Sequence, residues 1–187
     1  MSDRNGLRAD AVRNRARVLD AAVQLVSMQG ADVPFTAIAA AAGVGVGTVY
    51  RHFPSRIALV EAVYRNELDA VCDAAAHLAA NEEPATALRE WLDRFVDYLA
   101  TKAGLSSALT AAIAGGAQPF EHSRGRLNDA LQVLLAALER AERLRDGVAS
   151  DDVLLLVAGT AVASETSGTD RRQRDRVLDL VVAAVVA

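Results

Sequence analysis

An all-α fold of about nine helices is expected from three features of the sequence. Of its 187 residues 52% are hydrophobic but only 4% aromatic, with abundant alanine, which suits a helical bundle closed by small side chains. Apolar residues recur at helical spacing in one segment after another. The four prolines fall near the breaks between those segments, where a helix tolerates them best.

The first dozen residues are polar and read as a mobile tail. Arg4 and Arg8 within it either remain solvated or lie along a phosphate backbone or minor groove. From about Asp10, apolar residues at Val12, Ala16, Leu19, Val23 and Val26 mark one face of an amphipathic helix that Gly30 ends. A short alanine-dense helix at 38–42 follows, and Gly43-Val44-Gly45 breaks it. A second short segment, 47–53, puts Val49 and Phe53 on one face and leaves Thr48, Arg51 and His52 pointing elsewhere. Two short helices joined by a tight glycine turn, the second carrying hydrogen-bond donors, have the layout of a helix-turn-helix, a spacing that two surface helices of an ordinary bundle with a polar outer face also show. Pro54-Ser55 ends it, and Ser55 suits the cap of a long helix to about Ala80 with the stripe Ile57, Val60, Tyr64, Leu68, Val71, Ala75 and Leu78. A head of residues 1–55 and a body of residues 56–187 are expected from this division.

The body continues after a break at Asn81-Glu82-Glu83-Pro84, proline suiting a helix start. Trp91, Phe95 and Tyr98 share one face of the next helix, flanked by Leu88, Leu92 and Leu99. A short helical run at 105–114 stops at Gly115-Gly116, and 117–125 reads as the longest irregular stretch. Leu127, Leu131, Leu134, Leu138 and Ala141 mark another helix. Ser150-Asp151-Asp152 then caps a run that is apolar nearly all round, to about Ser164; its acids suit the positive end of the helix dipole. After Ser167-Gly168-Thr169 a last helix runs from Asp170 through Val177, Leu180, Val181 and Val185. A helix apolar on most sides must be covered on more than one, either by the core of its own chain or by a second copy of the chain.

The charge balance is uneven. The net charge is -4, yet residues 1–60 carry Arg4, Arg8, Arg13, Arg15, Arg17, Arg51 and Arg56 against Asp3, Asp10, Asp20 and Asp32. A basic end on an acidic body fits a nucleic-acid reader joined to something else. Cys72 is the one cysteine, so neither a disulfide framework nor a cysteine metal cluster is expected. The polar N-terminus lacks the apolar core of a signal peptide, and no apolar run is long enough to span a bilayer. A cytoplasmic protein without membrane contact is the expectation. His52, His77 and His122 are far apart, without metal-ligand spacing, and no nucleophile-elbow, phosphate-loop or dinucleotide glycine pattern occurs. Neither an enzyme nor a cofactor is therefore expected.

The stretch AGVGVGTVYRHFPSR resembles the recognition segment of the tetracycline-repressor (TetR) family of bacterial transcription regulators. Ile38, Ala39, Ala42, Gly43, Val44, Gly47, Thr48, Val49, Tyr50, His52, Phe53, Ser55 and Arg56 fall in place. Two positions depart: Pro34 stands where the family favours a Thr or Ser cap, with Thr36 the nearby hydroxyl, and Gly45 stands where it favours Ser. The resemblance is clear over residues 10–65 and one of pattern beyond. It implies a double-stranded DNA operator as partner, contacted through Thr36, Gly45, Val46, Gly47, Thr48, Tyr50, Arg51, His52 and Arg56. It also implies a small-molecule effector bound in the body, around Trp91, Phe95, Tyr98, Leu109 and Phe120, although the aromatic stripe also reads as plain core. A homodimer through the last two helices is implied as well, at Leu155, Gly159, Val162, Val181 and Val185. The activity implied is that of a repressor released when its ligand tilts the long helix after Ser55. The competing reading is a helical enzyme or protein-interaction bundle that binds no DNA.

Overall fold

The computed structural model describes residues 3–30, 32–114, 123–168 and 170–187. Among them are nine helices: α1 (Asp3–Gln29), α2 (Phe35–Ala42), α3 (Val46–His52), α4 (Arg56–Asn81), α5 (Pro84–Gly104), α6 (Ser106–Ala114), α7 (Ser123–Arg140), α8 (Ser150–Ser167) and α9 (Arg171–Val185). The chain groups into two compact units, one of Met1–Asn66 with Thr101–Pro119, the other of Glu67–Ala100 with Phe120–Ala187.

In the first unit, α1 buries Val18, Leu19, Ala22 and Val26, a row at i and i+4 spacing. Val12, expected on this face, is 69% exposed. The helix also begins at Asp3 rather than near Asp10. Most residues of 3–12 tolerate a helix, and the lone Gly6 costs only about 1 kcal/mol, so a helix continues there without an apolar face. Gly30, at φ +81°, closes α1 as expected, its N–H donating to Val26 at 2.8 Å. Phe35, Ile38 and Ala39 of α2, Val49 of α3, Phe53, and Leu59, Val63 and Tyr64 of α4 complete this core with Leu105 and Leu109.

In the second unit the stripes read from the sequence are buried almost throughout: Leu68, Val71, Ala75 and Leu78 on α4, and Leu127, Leu131, Leu134 and Leu138 on α7. Ser55 caps α4, its Oγ accepting from Ala58 N–H at 3.1 Å. Asp170 caps α9 through Gln173 N–H at 2.7 Å. At α8 the expected cap is displaced, because Ala149 occupies that position without a side-chain bond and Ser150 is buried in the first turn. Helix α7 begins at Ser123, so 123–125 is helical rather than irregular, while 115–122 lies outside the described residues. The segment after α7 forms an isolated antiparallel bridge from Leu144 to Val186. Arg145 there donates through Nη2 to the carbonyls of Ala183 (3.1 Å) and Val186 (3.0 Å), satisfying acceptors at the end of α9 that no helical turn serves.

Candidate nucleic-acid interface

The glycine turn between α2 and α3 is built from the backbone. Gly43 sits in the left-handed region at φ +62°, which glycine adopts without a Cβ penalty. Its N–H donates to Ala40 at 3.1 Å and that of Val44 to Ala39 at 3.0 Å, so the chain reverses while the last carbonyls of α2 stay paired. Arg17, from α1, places Nη2 3.3 Å from the Gly43 carbonyl. Gly45 then starts α3 as an extended cap at φ -71°, ψ 146°, with no side-chain bond. Glycine is only slightly worse than serine in that place.

One face of α3 is anchored and the other is open. Val49 and Phe53 are buried, and so is Phe35 behind them. Tyr50 is 54% exposed and Val46 40%, and Thr36, Gly45, Gly47 and Arg51 are exposed beside them. Thr48, His52 and Arg56 are half-buried. The structure thus brings all nine residues expected at DNA into the first unit, with at least part of each at the surface.

Aromatic contacts hold several of these groups in place. The rings of Tyr50 and Phe35 have centroids 4.8 Å apart, and the Arg56 guanidinium lies 5.6 Å from the Phe35 centroid. Arg56 opens α4, where the positive end of the helix dipole disfavours a cation, and this cation–ring contact supplies one attraction that holds it there. Arg15 similarly lies over Phe53 at 5.4 Å. Sequence reasoning counted Arg15 and Arg17 only as charge. Their spacing of two on α1 was visible, but contacts to Phe53 and Gly43, 38 and 26 positions away, follow only from packing.

The residues expected around a ligand divide between the units. Trp91, Phe95 and Tyr98 line up in the second unit as a buried ladder, with centroids 5.4 and 6.1 Å apart and nearly parallel rings. Trp91 is fully enclosed and donates its indole N–H to the Val71 carbonyl at 2.8 Å. Leu109 is buried in the first unit, and Phe120 lies outside the described residues. Of the residues expected at a dimer interface, Leu155 and Val162 are 70% and 63% exposed and Gly159 is exposed. Val181 and Val185 point inward and are covered by their own protomer, being 4% and 3% exposed. The apolar surface open on these helices is completed instead by Leu156 and Leu180.

Two family profiles match the chain. Residues 18–63 match one described as bacterial regulatory proteins, tetR family. Residues 83–184 match one described as transcriptional regulator SbtR-like, C-terminal domain. Among solved structures, the chain is 41% identical to a TetR transcriptional regulator from Streptomyces coelicolor, at a TM-score of 0.83, covering 92% of this chain and 98% of that one. It is 35% identical to a TetR transcription regulatory protein from Mycobacterium vanbaalenii, at a TM-score of 0.76, covering 97% and 99%. A regulator from Rhodococcus sp. at 15% identity and a TM-score of 0.66, covering 94% and 100%, shares the fold. No curated protein matches the chain.

Proposed function

The chain belongs to the TetR family of bacterial transcription regulators, and we propose that it is a repressor that binds a near-palindromic operator as a homodimer and leaves it when a small molecule binds. As a member of that family it is a ligand-responsive DNA-binding regulator and not an enzyme. Among the described residues no helix is long and apolar enough to cross a membrane.

The observation that carries the DNA reading is the open face of α3, with Tyr50 and Arg51 exposed over an anchored Val49 and Phe53. Arg51 reads base edges in the major groove, where an arginine pairs with the two acceptors of guanine. Thr36, Thr48, Tyr50, His52 and Arg56 hold phosphates, and the bare backbone of Gly45-Val46-Gly47 allows close approach. Phosphate contacts position and base contacts specify. In operator DNA selected from a random library, Arg56→Ala should therefore weaken every site alike and reduce the salt slope by about 1. Arg51→Ala should relax preference at particular base pairs, each worth about 1–3 kcal/mol. Equal losses for operator and random DNA in Arg51→Ala would remove Arg51 from base reading.

The dimer reading rests on the apolar outer surface of α8 and α9, where Leu155, Leu156, Val162 and Leu180 are each 49–70% exposed. Patches of exposed large apolar side chains mark association surfaces. A two-fold dimer presents two recognition helices about one DNA turn apart, roughly 34–36 Å, which is the origin of operator symmetry. Helix α4 contributes to both compact units, so a ligand held in the second unit has a continuous helical path to the first.

A further inference from the structure

The second unit contains a pocket of about 240 Å³, half open to solvent, that involves none of the residues considered above for a ligand. Val96 and Ala100 of α5, Ala161 of α8, and Val177 and Leu178 of α9 supply its apolar walls, and Arg174 its polar side. An apolar cavity of about 150 Å³ is enough to bind benzene. At the packing density of protein interiors, about 0.75, this one holds on the order of ten non-hydrogen atoms. The lining residues on α8 and α9 are half-buried or buried, whereas Leu155, Val162 and Leu180 are 63–70% exposed.

The polar side constrains the ligand's charge. Arg174 donates through Nη1 to Asp97 at 2.9 Å and through Nη2 to Asp93 at 3.3 Å. Asp93 is also held by Arg89, which reaches Asp179 at 2.7 Å. The guanidinium charge is thus already answered at both ends, and an anionic ligand would compete with two fixed carboxylates. The adjoining cleft is lined by Asp97, Asp170, Arg171 and Arg174 with Ser164, two charges of each sign. A cation gains no net attraction there either.

Hydrogen bonding is still on offer. Ser164, shared by both spaces, has no side-chain partner among the described residues. Thr160 spends its proton on the Val157 carbonyl at 2.8 Å and keeps its lone pairs. Arg174 Nε is shut off from solvent with no acceptor, a donor that a small shift of the side chain would bring to a ligand oxygen.

We propose that this α5–α8–α9 cavity is the effector site and takes a small neutral molecule with an apolar body and one carbonyl or hydroxyl oxygen. The effector role rests on the regulator reading given above; the binding itself rests on the cavity alone.

The test uses the full-length protein and three probes of one chain length: 2-nonanone, nonanoate and nonylammonium. Calorimetry should show saturable binding of 2-nonanone, one per protomer, with the two charged probes at least tenfold weaker. Methyl NMR shifts should concentrate at Val96, Val177 and Leu178. Ala161→Phe fills the cavity from α8 and Ala100→Leu from α5, and whichever variant keeps its melting transition should lose at least tenfold in affinity. Equal affinity for a charged probe, binding undiminished in a folded filled variant, or no binding of 2-nonanone overturns the site. Operator complexes report separately. Release by 2-nonanone without methyl shifts at the cavity would keep the regulator reading and overturn this site. Cavity shifts with the operator complex intact would keep the binding and overturn its effector role.

Discussion

At Gly43 the backbone lies at φ +62°, and a Cβ built there would stand 2.6 Å from Arg17 Nη2. Gly43→Ala therefore meets two costs, the left-handed backbone, about 1–2 kcal/mol, and displacement of a guanidinium from the carbonyl it serves. Thermal unfolding followed by circular dichroism should show a fall in Tm of roughly 2–8 °C, at about 2–4 °C per kcal/mol for a chain of this size. Gly45→Ser is the control, because Gly45 has φ -71° and open space around it. It should leave Tm unchanged or raise it slightly through a better cap. That Gly43 must be glycine was legible from the break in an apolar helical run; that Arg17 crowds it was not. Cys72 is a second residue whose surroundings decide its chemistry. Burial pushes its thiol above the usual value of 9.0, and Arg126 only partly opposes that. At pH 9 the folded protein holds the proton that an unfolded chain gives up, so alkylation by iodoacetamide should be slower in buffer than in 8 M urea (a routine denaturing concentration, roughly several times a typical midpoint). The same sign makes stability decline as pH rises above about 9.

Helix α9 shows how an element is held at both ends. Asp170 accepts from Gln173 N–H at its start, and Arg145 serves the carbonyls at its end. Between them, Arg174 pairs with Asp93 and Asp97 of α5, and Arg89 of α5 pairs with Asp175 and Asp179 of α9; both guanidinium groups are part-buried, where an ion pair is screened less than at the surface. Asp170→Ala should cost about 0.5–2 kcal/mol, read by denaturant unfolding, and Asp170→Asn should recover most of it. Arg145→Ala should speed amide exchange of Val186 and Ala187, whose N–H groups bond to Val182 and Arg143, and leave the middle of α4 untouched. The helix itself was legible because Asp170 precedes a run with apolar residues at helical spacing. The clasp was not, since nothing in the pattern of residues 141–149 marks Arg145 as a partner of residues 38 and 41 positions later. Helix starts were read less well: α1 begins at Asp3, where nothing apolar marks it, and α8 is capped by Ala149, one residue before the serine that the capping pattern points to.

For the whole molecule the question is which apolar side chains meet a partner. Leu155→Glu combined with Leu180→Glu places two charges on surfaces that are each 70% exposed. Each folded protomer should persist, with mass in solution falling to that of one chain and operator affinity falling with it. Val181→Glu buries a charge inside the protomer instead, which costs several kcal/mol, and should lower Tm before it changes assembly. Sedimentation and circular dichroism on both variants separate these outcomes. A double variant that stays dimeric and binds DNA normally would place the interface elsewhere.

The helical class, the glycine turn and the anchored-against-open faces of α3 were all legible in the order of residues, because each follows from spacing and from the backbone freedom of glycine at positions close together in the chain. The sequence also carried the family, through a run of residues at 38–56 whose order is specific. Tertiary structure alone decided that Val181 and Val185 are core while Leu155 and Leu180 are surface. Both pairs are aliphatic and helical, and only the neighbours packed against a helix distinguish its inner face from its outer one. It likewise decided that Arg15 and Arg56 rest on rings and that a cavity opens among α5, α8 and α9. Those are properties of side chains distant in sequence, brought together by burial that no local periodicity encodes.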